Sequence, residues 1–103
     1  MKFNNWSLER IEQGRKTITS RKTAHTNDPD VALILGPLPW GIIRDYLWDS
    51  EGADSPEELQ EVIDKIFARR GYPVADNELF YVHVIGVIKI PIVKGEPKGE
   101  TET

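Results

Sequence analysis

The segment Gly14-Arg15-Lys16-Thr17-Ile18-Thr19-Ser20-Arg21 places a lysine three residues ahead of a threonine, with arginines on both sides. Lysine beside a hydroxyl is one of the few pairings that make an oxygen nucleophile without histidine or cysteine. To serve as the base, the lysine must first lose its own proton. Burial and nearby positive charge both favour the neutral amine, and Arg15 and Arg21 supply such charge. On a regular strand, positions 16 and 19 face opposite ways. The two residues therefore cooperate only if Lys16 sits on a turn, with the strand starting after it.

The remaining reactive side chains are few. The chain has no cysteine, which excludes disulfides, thiolate metal sites and thiol nucleophiles. Its two histidines, His25 and His83, lie far apart, so no metal site is expected, and no cofactor is called for. His83 stands in an apolar run and reads as a packed imidazole. His25 is a lone loop histidine.

The elements that must position these groups come from a chain of 103 residues, enough for one domain with one modest core. No apolar run is long enough to span a bilayer, and residues 1–5 lead directly into a helix signal. We expect no signal peptide, no membrane partner and a cytoplasmic location. The net charge of −4 argues against strong non-specific binding to nucleic acid. The charge is uneven, however: residues 1–25 hold six Lys/Arg against two acids, so the basic end can face phosphate.

Ser7 is the expected cap of a short helix, Leu8 to Gln13, and Gly14 ends it. Lys16 to Arg21 reads as a strand, and Lys22 to Pro29 as a polar loop. Val31-Ala32-Leu33-Ile34-Leu35 is a continuous apolar run, expected as a buried strand that Gly36-Pro37-Leu38-Pro39 breaks. Ile42, Ile43, Tyr46 and Leu47 recur at helical spacing, so Trp40 to Asp49 is an expected helix, with a strand as the alternative. After the polar junction 49–54, Ser55 and Glu58 form a capping box with Pro56 at the first helical position. Leu59, Val62, Ile63, Ile66 and Phe67 give that helix one apolar face, and Gly71 and Pro73 end it. Leu79 to Ile88 is the strongest strand, apolar enough to be covered on both faces. Ile90 to Val93 is an expected edge segment. Residues 1–94 then form the domain, and 95–103, made of Gly, Pro, Glu, Lys and Thr, form a disordered tail.

Taken with these elements, Gly14-Arg15-Lys16-Thr17-Ile18-Thr19-x-Arg21 resembles the signature of the ASCH domain (activating-signal-cointegrator homology), a relative of the PUA RNA-binding fold. The preceding short helix, the Glu51-Gly52 pair before the helix opening Ser-Pro-Glu-Glu-Leu, and the late apolar strand agree with it. The likeness covers residues 3 to 88. It implies an α+β domain with a small, partly open, PUA-like β-barrel and flanking helices. Family members carry two or more strands between the motif and the Glu, whereas residues 22–41 leave room for one, so the barrel is shortened. Ser20 stands where the family commonly has a bulky apolar residue.

Some small bacterial members are amidohydrolases that remove acetyl from N(4)-acetylcytidine, and others are thought to bind RNA. The resemblance thus implies RNA or a modified nucleoside as partner, and Lys16, Thr19 and Glu51 as the catalytic set. Lys16 would take the proton of Thr19, or of a water, and Glu51 would protonate the departing amine. Arg15, Arg21, Lys22 and Trp40 are the expected substrate-binding residues. Trp6, Trp48 and Tyr81 are further candidates for stacking on a base. Arg21 is also a candidate brace for Glu51 through an ion pair.

Overall fold

The computed structural model describes residues 1–85. The expected end of the last strand, the edge segment Ile90 to Val93 and the tail 95–103 lie outside the described residues. Helix α1 (Asn5–Glu12) leads to strand β1 (Ile18–Arg21), strand β2 (Leu33–Pro39), helices α2 (Trp40–Leu47) and α3 (Pro56–Ile66), a 3₁₀ turn (Ala68–Arg70) and strand β3 (Leu79–Val84). The architecture is α+β. The three strands form one antiparallel sheet in the order β1-β3-β2, with Ser20 opposite Val82 and Leu35 opposite Val82 on the other side. A small, partly open barrel was expected; among the described residues the strands form an open three-stranded sheet, because β1 and β2 each pair with β3 and not with each other.

The helix starts follow capping chemistry. α1 begins earlier than its periodicity suggests: Asn4, not Ser7, is the cap, and its side-chain carbonyl accepts from the Ser7 N–H at 2.8 Å. At α3, Ser55 Oγ accepts from the Glu58 N–H at 3.0 Å, and the Glu58 carboxylate accepts from the Asp54 N–H at 2.6 Å. α2 follows Pro39, which offers no capping side chain. Its first free N–H groups instead donate to the carbonyls of Glu78 and Asp76, at 2.7 and 2.9 Å.

β2 departs from expectation twice. Its apolar run is not buried: Leu33 and Leu35 are about half exposed, and among the described residues β2 is paired on one side only. Nor does Gly36-Pro37 end it. The strand runs on to Pro39 through a bulge, with Leu35 opposite Val82 and Leu38 opposite Phe80. Gly36 has φ +111°, and a Cβ there would meet the Leu38 nitrogen at 2.9 Å, so only glycine fits. An edge strand tolerates the missing N–H of Pro37.

The core forms where one face of the sheet meets α2 and α3. Ile18, Phe80 and Val82 from the sheet pack with Trp40 and Ile43 of α2 and with Leu59 and Ile63 of α3. Not all of the α3 apolar face joins in. Val62 and Ile66 look instead into a cleft between α3, β1 and the start of the chain.

Candidate functional site

The site is built from two backbone turns. At the end of α1, Gly14 adopts φ +74°, and the next two amides, Arg15 and Lys16, both donate to the Arg10 carbonyl at 2.8 and 3.2 Å. Lys16 therefore sits on the turn, two residues before β1 begins. The second turn follows α2. The Glu51 N–H donates to the Leu47 carbonyl, and Gly52 turns the chain at φ +93°. The two turns are tied together: the Thr17 and Ile18 amides donate to the Ser50 carbonyl at 2.8 and 3.2 Å, and Arg10 Nε donates to the Gly52 carbonyl at 2.8 Å.

This arrangement brings Lys16 and Glu51 into contact. Lys16 Nζ lies 2.6 Å from Glu51 Oε1 and 3.3 Å from the Glu51 carbonyl oxygen. Both residues are 3% exposed. Ser20 Oγ donates to the other carboxylate oxygen, Oε2, at 2.5 Å. Both Glu51 oxygens are thus held, one by a cation and one by a hydroxyl. A buried ion pair of this kind is costly to desolvate, so its retention marks it as a candidate for function.

The pair forms one wall of the cleft, whose volume is about 250 Å³. Trp6 and Phe3 lie on one side and Leu59, Val62 and Ile66 on another. The Trp6 ring carries the Arg10 guanidinium at 4.1 Å, with Lys16 Nζ at 5.9 Å. Lys2, Arg21 and Lys22 also border the opening.

The other expected site residues are placed as follows. Thr19 borders the cleft and is 5% exposed. It pairs with His83, whereas Ser20 pairs with Val82 of the core. Strand alternation therefore sends the Thr19 side chain away from the face that Ser20 shares with Glu51. Arg21 borders the cleft but does not brace Glu51. Its guanidinium donates to the Lys2 carbonyl at 2.6 Å and lies over the Phe3 ring at 5.2 Å. Burial holds the Arg21 pKa below its ordinary value, against the opposing charges of Glu51 and Asp28.

Lys22 reaches Glu78 at 3.4 Å and the Phe80 ring at 4.6 Å. Arg15 is outside the cleft and pairs with Asp54. Trp40 is fully buried, its indole N–H donating to Gln60 Oε1 at 2.9 Å. It serves the core, and Trp6 and Phe3 are aromatics nearer the start of the chain that line the cleft. Trp48 packs against the core, and Tyr81 lies on β3 outside the cleft.

Ser20 and Arg10 were missed. For Ser20 the sequence showed only its side of the strand, two residues from Ile18, and nothing that set that side toward Glu51. Arg10 had none, since nothing in its neighbours distinguishes it from a surface helix arginine.

His83 is fully buried and acts as a structural link. Its Nε2 accepts from the His25 N–H at 3.0 Å, so the ring proton sits on Nδ1, which faces the Tyr81 and Thr19 carbonyls at 3.0 and 3.3 Å. Burial pushes its pKa down, against the two carbonyls.

Among the described residues, no group of three or more His, Asp or Glu is placed to hold a metal ion, and no helix is long and apolar enough to cross a membrane. Compared with protein-family models, with curated proteins and with solved structures, the chain matches none.

Proposed function

We propose that the cleft receives the pyrimidine of a modified nucleoside or of RNA, and that the Lys16–Glu51 pair hydrolyses an amide on it, the acetyl group of N(4)-acetylcytidine. The chain is read as a shortened PUA-like domain of the ASCH type. The observation that carries this reading is the 2.6 Å contact between two buried, oppositely charged groups on the wall of a cleft. The sequence resemblance implies the same two residues. The volume, about 250 Å³, falls below the usual ~300–1,000 Å³ of drug-sized sites and suits one small ring system.

Amide hydrolysis needs an activated oxygen, stabilisation of the oxyanion and a proton for the departing amine. Lys16 Nζ and Glu51 Oε1 meet at 2.6 Å as an ion pair, cation against carboxylate. The roles expected from sequence therefore exchange. Glu51 takes the proton of the attacking oxygen and passes it to the exocyclic nitrogen. Lys16, as a cation, fixes the Glu51 carboxylate and stabilises negative charge on the carbonyl oxygen. Trp6 offers a ring face to the base.

Release of cytidine from N(4)-acetylcytidine tests the reading. We expect Glu51→Gln to lower turnover by about 10²–10⁴-fold, the usual loss of a general base. Turnover by the wild type no faster than by Lys16→Ala would defeat it.

A second reading, an RNA-binding module without catalysis, is favoured by Lys2, Arg21 and Lys22 around the same opening. It predicts RNA affinity that falls with salt, and a salt slope smaller by about one in Lys22→Ala. An unchanged slope in fluorescence-anisotropy titrations would count against it.

A further inference from the structure

Resting on the reading of the cleft as a hydrolytic site, we infer that Ser20 is the acyl acceptor: its Oγ, and not the hydroxyl of Thr19 or a free water, attacks the carbonyl. Three observations carry this. Ser20 Oγ donates to Glu51 Oε2 at 2.5 Å, so the base that must take its proton is already in contact. The opposite oxygen of the same carboxylate is held by Lys16 at 2.6 Å, which orients the base as a third group orients the base of a catalytic triad. Ser20 is also half-buried at the cleft wall, whereas Thr19 is 5% exposed and alternates to the other face, opposite His83.

The step balances. Ser20 Oγ bonds to the carbonyl carbon as its proton passes to Glu51, and the carbonyl π electrons move to oxygen. When the carbonyl re-forms, the C–N bond breaks and Glu51 gives the proton to the leaving amine. Ser20 is left as an acetyl ester. Water then attacks that ester, its proton going to Glu51 and from there to the departing Ser20 Oγ. The apolar wall of Val62 and Ile66 lies beside the site and suits the alkyl part of an acyl group or of a probe.

An alkyl fluorophosphonate tests this without needing the natural substrate. Attack by Oγ forms an O–P bond and expels fluoride, leaving a stable mass adduct. We expect one adduct on the wild-type chain, mapped to Ser20 by peptide mass spectrometry. It should be lost in Ser20→Ala, retained in Thr19→Val and formed about 100-fold more slowly in Glu51→Gln. An adduct on Thr19 or any other residue, or none, overturns the inference. Because the mapping is done on the wild type, it does not depend on any variant folding. Cytidine release from N(4)-acetylcytidine is followed on the same sample. Labelled Ser20 without cytidine release keeps the inference and removes the substrate reading. Cytidine release without labelling does the reverse.

Discussion

Lys16 and Glu51 are both nearly inaccessible to water, and each is the other's charge partner. Removing one leaves the other buried and uncompensated, at a cost of about 3–5 kcal/mol. Replacing both with apolar residues of similar size leaves no orphan charge. We therefore expect Lys16→Met alone to destabilise by about that amount, and Lys16→Met with Glu51→Leu to recover most of it while remaining inactive. Urea denaturation of the single and double variants checks this. A double variant as unstable as the single would mean that Ser20 and the Glu51 main chain, and not the charge, set the cost. Lys16 was legible in sequence because its turn is announced by Gly14. Its true partner among the hydroxyls was not: Thr19 and Ser20 are adjacent, and only the register against Val82 and His83 says which one faces Glu51.

The elements matter through the two turns that join them. Gly52 combines a left-handed backbone with close quarters: a Cβ there would lie 3.1 Å from both the Arg10 and the Lys16 Cβ. Gly52→Ala should destabilise by more than ~1 kcal/mol from strain alone. It should also lower turnover more than substrate affinity, because the displaced neighbours hold the pair. Thermal melts and a separation of kcat from KM check both parts, and a change in KM only would show that Gly52 shapes the opening and not the pair. The start of α3 was read to the residue, since Ser55, Pro56 and Glu58 fix it by local chemistry, but its end was set too late: the α-helix stops at Ile66 and a separate 3₁₀ turn carries Arg69 and Arg70. β2 was misread because an apolar run does not reveal what covers a strand: Leu33 and Leu35 stay about half exposed, and among the described residues β2 is paired on one side only.

Across the whole molecule, acid stability should depend on His83. The unfolded chain protonates this imidazole near its ordinary pKa of about 6.5, whereas burial lowers that value in the fold. The unfolded state therefore binds more protons below that point. His83 contributes nothing adverse above about pH 6.5, and stability falls as pH drops below it. Charging the ring would also set Nε2–H against the His25 N–H it now accepts, loosening the loop between β1 and β2. His25, its ring centroid 5.3 Å away, and Arg21 also disfavour the cation by like charge. We expect denaturant midpoints to fall between pH 7.5 and 5.5 in the wild type, and to fall less in His83→Gln. An equal fall in both would assign the effect to other groups.

The bond from the Arg10 guanidinium to the Gly52 carbonyl crosses 42 positions of sequence, and the lysine–glutamate contact it supports crosses 35. Nothing local holds either one. Contacts of such range are completed late, after the chain has met the entropy of closing a long loop. Intermediates with helices made but ends still apart are consequently inert, and the onset of turnover during refolding becomes a clock for the final closure of the chain.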